Sequence, residues 1–143
     1  MPDLHVSLPA KLTEVRNLSA SVEEFGDANQ LPQPTVFIIN LALDELITNA
    51  VTHGTFNVPD PTIDIHLKAE RNVVTLTMED NGSPFDPTAM DADDVDTTSA
   101  LEERAVGGLG LHLVRTFAHD MSYEFVDGRN RLTVHHHFKS ESE

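Results

Sequence analysis

The chain has 143 residues, enough for one domain with a real core, and 39% of them are hydrophobic, as in ordinary soluble globular proteins. Its formal net charge of −15, from 24 acidic and 9 basic residues, argues against a phosphate-backbone binder, which needs clustered Lys and Arg; solubility accounts for the excess. It has no Cys, no basic and apolar leader at Met1 to Val6, and no run near the roughly 18 apolar residues of a membrane span, so it reads as cytoplasmic, with no membrane and no direct nucleic-acid partner.

Leu4 to Leu8 alternates and predicts a short strand closed by Pro9. Leu12, Val15, Leu18, Val22 and Phe25 recur at helical spacing, and Gly26-Asp27 reads as the stop of that helix. A Pro-marked loop from Gln30 to Pro34 leads into a second helix. It begins near Pro34 and ends at His53-Gly54, where the glycine suggests a left-handed cap. On this helix Asn40, Asp44 and Thr48 share one side, while Ile38, Leu41, Ala42, Leu43, Leu46 and Ala50 cover the opposite arc. Glu45 and Asn49 fall within the apolar arc, one turn apart. Each would cost roughly a few kcal/mol if left unpaired. Either nearby backbone satisfies them, or a cation, water or ligand sits over this face.

Asn57 to Pro61 is a turn-rich loop. Thr62 to Lys68 alternates Ile63, Ile65 and Leu67 against Asp64 and His66, a half-buried strand. After a turn at Glu70 to Asn72, Val73 to Glu79 is the next strand, with Val74, Leu76 and Met78 on one face, and the two form an antiparallel hairpin. Asp80 to Pro87 breaks the pattern. The acidic, aperiodic stretch 89–106 reads as a mobile lid. Val106 to Leu111 opens a third helix running to about His119, with Leu109, Leu113, Val114 and Phe117 as its stripe. Ser122 to Val126 is a strand, Asp127-Gly128 a tight turn, Arg131 to Phe138 the last strand, and 139–143 a frayed tail. The expected fold is a single domain over 1–143: an α+β two-layer sandwich, its mixed, mostly antiparallel sheet covered on one face by about three helices.

Three pieces carry chemistry. They are Glu45 and Asn49 on a buried helical face, Asp80-x-Gly82 where a strand opens into a loop, and Gly107-Gly108-Leu109-Gly110 running into a helix N-terminus. The glycines let backbone N–H groups approach a phosphate at the positive end of a helix. Neither the Walker Gly-Lys-Ser/Thr pattern nor a parallel βαβ dinucleotide unit is present. With so few cations, a nucleotide site would lean on a divalent metal and on backbone donors. His135, His136 and His137 alternate between the faces of one strand, so at most His135 and His137 could share an ion, and a solvated strand end is the simpler reading.

In this order the segments Leu43 to Gly54, Glu79 to Asp86 and Gly107 to Leu113 resemble the N, G1 and G2 boxes of the GHKL ATPase superfamily. Within it the chain looks most like the small anti-sigma-factor serine/threonine kinases, over nearly its whole length. The resemblance implies a Bergerat ATP-binding sandwich with ATP and Mg²⁺ as cofactors. Asn49 would bind the Mg²⁺, and Asp80 would accept a hydrogen bond from the adenine amino group, with Gly82 making room. Gly107, Gly108, Leu109 and Gly110 would wrap the phosphates, and Glu45 would act as general base. It further implies a sigma factor and an anti-sigma-factor antagonist as partners, and a possible homodimer. A non-catalytic ATP- or ADP-gated binding regulator would share these residues. One departure stands out: the lid holds one basic residue, Arg104, so little cationic help for phosphoryl transfer is visible.

Overall fold

The structure, a computed structural model, describes residues 3–86, 118 and 120–138. Strand β1 is Leu4–Pro9. A single 3₁₀ turn at Leu12–Glu14 leads into helix α1, Val15–Ala28, and helix α2 is Gln33–His53. Strands β2 (Thr62–Glu70), β3 (Val73–Asp80), β4 (Asp120–Val126) and β5 (Arg129–His137) complete the described elements. The expected third helix from Val106 to about His119, the lid at 89–106 and the tail at 139–143 lie outside the described residues, apart from Ala118.

The sheet has the order β1-β2-β3-β5-β4. A mixed, mostly antiparallel sheet was expected; every pairing among the described residues is antiparallel. Both hairpins turn on two residues at positive φ, Arg71 and Asn72 between β2 and β3, and Asp127 and Gly128 between β4 and β5. That geometry matches the right-handed twist of the flanking strands. Alternation then sorts the side chains. Ile63, Ile65, Leu67, Val74, Leu76, Met78, Leu132 and Val134 are buried beneath the helices. The opposite face is polar. Arg129 pairs with Asp64 at 2.7 Å, while Arg131 bridges Glu79 at 2.6 Å and Glu124 at 2.9 Å, a chain of charges across four strands. His135 joins it by pairing with Asp120 on β4.

Two glycines have other causes than the sequence suggests. Gly26 does not stop α1, which continues to Ala28. The end is made instead by Gln30 at φ 56° and by Leu31 N–H donating to the Gly26 carbonyl at 2.9 Å. Gly26 is needed where the helices cross, because a Cβ there would stand 2.5 Å from Val36 Cγ2 of α2. Gly54 is extended, at φ −76° and ψ 160°, and is not a left-handed cap; a Cβ there would strike the Ala50 carbonyl oxygen.

By length and composition α2 could cross a membrane, which the absence of an uninterrupted apolar run hid. Here Val36, Ile39, Ala42, Leu43, Leu46, Ile47 and Ala50 are buried in the core. Their burial against the sheet is the reason for the apolar composition, at roughly 1.5–3 kcal/mol for each large side chain.

Gly26→Ala tests the helix crossing. Alanine gains about 1 kcal/mol of helix propensity, but overpacking beside the buried Val36 costs about 1–3 kcal/mol. The expected result is a lowered urea midpoint with an unchanged slope; a raised midpoint would show that the helices do not approach this closely.

Candidate functional site

Two of the three chemical pieces converge. Asn49 of α2 and Asp80 at the end of β3 line one small cavity, together with Leu46, Ala50, Met78, Phe85, Tyr123, Asn130 and Leu132. The cavity opens between α2 and the sheet, where β3 gives way to the 81–86 loop. Its walls are mostly apolar and its few polar groups converge, the usual build of a small-molecule site.

Asn49 is 1% exposed, and neither its Oδ1 nor its Nδ2 has a hydrogen-bond partner among the described residues. A buried amide left unpaired costs about 1–3 kcal/mol. Nearby backbone, the plain alternative, does not satisfy it: helical backbone groups are already bonded along α2. An amide oxygen is a suitable hard ligand for Mg²⁺, which keeps most of its own waters. Among the described residues no group of three His, Cys, Asp or Glu could hold a metal.

Asp80 is 6% exposed and well held. Its Oδ1 accepts from Gly82 N–H at 2.9 Å and from Asn130 Nδ2 at 2.8 Å. Gly82 is itself buried. A Cβ there would sit 3.1 Å from Asp80 Oδ1, from Phe56 and from the Thr55 carbonyl alike, so any side chain would crowd the turn where it folds back onto the carboxylate. Ser83 N–H donates to Thr55 O at 2.7 Å, and Asn81 bridges Asp60 O and Thr62 N–H, each at 3.0 Å. The loop after α2 and the loop after β3 are thus tied together at the cavity's rim.

Glu45 is half-buried, not fully buried as its place in the apolar arc suggests, and it stands one turn before Asn49, outside the cavity lining. Burial, and then the neighbouring Asp44 charge, raise its carboxyl above the ordinary 4.5. Gly107, Gly108, Leu109 and Gly110 lie outside the described residues. His53 is exposed in the last turn of α2. His135 and His137 project to the outer face of the sheet, away from this cavity. His136 lines a separate apolar cavity with Ile38, Ile39, Ala42, Val74, Leu76 and Val134.

Asn130, Tyr123 and Phe85 were missed by sequence reasoning. The alternation that puts Leu132 and Val134 inward reaches Asn130 one step earlier, so strand parity was a usable signal. Tyr123 lies opposite Leu132 on β4 and follows from register, not from pattern.

A model of the histidine kinase-like ATPase domain matches residues 8–135. The chain is 36% identical over 106 residues to the serine/threonine-protein kinase BtrW of Bordetella bronchiseptica, covering 74% of this chain and 73% of that one. It is 25% identical over 125 residues to the serine-protein kinase RsbW of Listeria monocytogenes, covering 86% and 80%. Its fold matches a crystal structure of the RsbU and RsbW domains of a Mycobacterium tuberculosis protein, with a TM-score of 0.62 at 18% identity, over 96% of this chain and 32% of that one.

Asn49→Leu separates a ligand group from a structural one. Removing two unpaired buried polar atoms should raise the stability of the nucleotide-free protein by about 1–3 kcal/mol, while Mg²⁺-dependent ATP binding is lost. A destabilised variant in thermal and urea unfolding would mean that Asn49 is satisfied within the fold.

Proposed function

The chain belongs to the histidine kinase-like ATPase domain family, and on that premise we propose that it is an ATP-dependent serine/threonine protein kinase of the anti-sigma-factor type. It acts in the cytoplasm, binds a sigma factor and phosphorylates an anti-sigma-factor antagonist, and it pairs as a homodimer. The observation that carries the ATP-binding part is the unpaired Asn49 amide facing the same cavity as the anchored Asp80. The relatives named as serine or serine/threonine kinases support the transfer step. The sigma factor, the antagonist and the dimer rest on the resemblance of the sequence to anti-sigma-factor kinases.

In this reading Asp80 accepts a hydrogen bond from the exocyclic amine of adenine, and Gly82 keeps the carboxylate in place. Asn49 offers Oδ1 to Mg²⁺, which when bound neutralises charge on the phosphates. Backbone N–H groups of Gly107, Gly108, Leu109 and Gly110 take the phosphate oxygens. Glu45 receives the proton of the acceptor hydroxyl as its oxygen bonds to the γ-phosphorus. The bond from that phosphorus to the β–γ bridging oxygen breaks, and ADP leaves. A raised carboxyl suits this task, since it binds a proton more readily than an ordinary glutamate.

One observation favours a second reading. The stretch 89–106 holds a single basic residue, Arg104, which leaves little side-chain cation to stabilise a transferring phosphoryl group. An ATP- or ADP-gated binding regulator needs none.

Glu45→Gln tests the choice. Phosphate transfer to the antagonist should fall roughly 10²–10⁴-fold, with ATP affinity changed by less than about 1 kcal/mol. Stability gives an internal control. The folded state raises the Glu45 carboxyl, so its stability contribution is complete below the ordinary 4.5 and is lost as pH rises through the folded value. Gln should therefore match the wild type at low pH and melt no lower than it at neutral pH. Lowered neutral-pH stability, with turnover and ATP affinity falling together, would make Glu45 structural. No transfer by the wild type would leave the binding regulator.

A further inference from the structure

The amide of Asn130 is the most heavily used polar group around the cavity, and neither the nucleotide roles nor the transfer step calls on it. It is 5% exposed on β5, directly opposite Asp80 on β3. Its Nδ2 donates to Asp80 Oδ1 at 2.8 Å, to Ser83 O at 2.9 Å and more weakly to Gly82 O at 3.4 Å. Its Oδ1 accepts from the Tyr123 hydroxyl at 2.5 Å and from Phe85 N–H at 3.0 Å. Phe85 N–H also reaches the Tyr123 oxygen at 3.2 Å.

This pattern admits one orientation of the amide. Turned over, Nδ2 would face two donors and Oδ1 would face a carboxylate and two carbonyls. The Tyr123 hydroxyl and Phe85 N–H therefore decide which end of Asn130 meets Asp80. With Asn130 so turned, Asp80 Oδ1 carries two donors. Among the described residues no hydrogen bond reaches its Oδ2. The carboxylate lines the cavity as a fixed acceptor, and the donors that hold it, Gly82 N–H and Asn130 Nδ2, are committed to protein acceptors.

We infer that Asn130 is a positioning residue that makes the cavity select a purine with an amino group at position 6 over one with an oxygen there, and that Tyr123 holds Asn130 in the selecting orientation. The inference rests on the adenine reading proposed for Asp80. A fixed acceptor bonds a 6-amino group. It repels a 6-oxo group, and the two donors that hold it, Gly82 N–H and Asn130 Nδ2, are already bonded to it. Sites built this way discriminate strongly, because the wrong ligand leaves buried polar groups unpaired. If Asn130 were absent, the carboxylate could turn or recruit water, and the rejection of a 6-oxo ring would weaken.

The experiment measures ATP and inosine triphosphate binding with Mg²⁺ by calorimetry, for the wild type, Asn130→Ala and Tyr123→Phe. The wild type should prefer ATP. In Asn130→Ala, ATP affinity should drop about tenfold while inosine triphosphate affinity holds or rises, so the ratio collapses. Tyr123→Phe keeps the ring, removes one of two orienting donors, and should narrow the ratio in the same direction by less. A merely structural Asn130 would weaken both nucleotides in parallel and leave the ratio intact. If Asn130→Ala fails to fold, the ratio in Tyr123→Phe decides alone. A preserved ratio in every folded variant of a discriminating wild type overturns this inference and spares the adenine reading. A wild type that binds both nucleotides equally overturns both.

Discussion

The structure depends on one cross-strand pair, Asp80 on β3 against Asn130 on β5. Burying a carboxylate is expensive unless donors meet it. Here a backbone N–H and a side-chain amide meet the same oxygen. The pair forms only in one register, since a slip of a single residue would send Asn130 to the face opposite Asp80. That register is fixed on the other side of the sheet. Arg129 and Arg131 flank Asn130 in sequence and point outward, to Asp64, Glu79 and Glu124. Exposed ion pairs contribute little stability one at a time, about 0–1 kcal/mol. Their value here lies in alignment, because the same slip would break all of them.

Helix α2 shows the opposite economy. Most of its buried face is aliphatic, yet Asn49 is buried with its amide unpaired. An aliphatic side chain there would give a more stable core. Groups that lower stability and face a cavity mark sites held ready for a ligand. The contrast with Asp80 is informative. Asp80 is held at one oxygen by protein donors, so its direction is set before any ligand arrives. Asn49 is held only by its helix and is left open to what enters.

Alternation and turn chemistry made most of the sheet legible. β2 and β3 declared themselves through Ile63, Ile65 and Leu67 and through Val74, Leu76 and Met78, and Asp127-Gly128 marked the last hairpin. Asn49 and Asp80 were legible because polar groups in apolar settings stand out. What was misread depends on tertiary contacts. Gly26 looks like a helix stop, but its cause is Val36 on the neighbouring helix. Gly54 looks like a left-handed cap, but its cause is the Ala50 carbonyl. Asn130 falls outside the strand that alternation predicts from Arg131, because β5 begins two residues earlier, at Arg129. Tyr123 carries no local signal; only the pairing of β4 with β5 brings its hydroxyl to Asn130.

Glu45 and Asn49 make the same argument from different physics. They are one turn apart on α2, and each is worse placed for stability than an aliphatic residue would be. For Asn49 the cost is two unmade hydrogen bonds. For Glu45 it is a charge partly withdrawn from water beside Asp44, and the raised carboxyl is the direct expression of that cost. A surface position for Glu45 would remove the cost and the basicity together. Full burial would keep it protonated and useless as a proton acceptor. Half-burial raises the carboxyl while leaving it in reach of water, which makes it a better base than a solvated glutamate. The helix therefore sets the two polar groups at different depths, the amide deep in the cavity and the carboxylate toward solvent, where a protein hydroxyl could reach it.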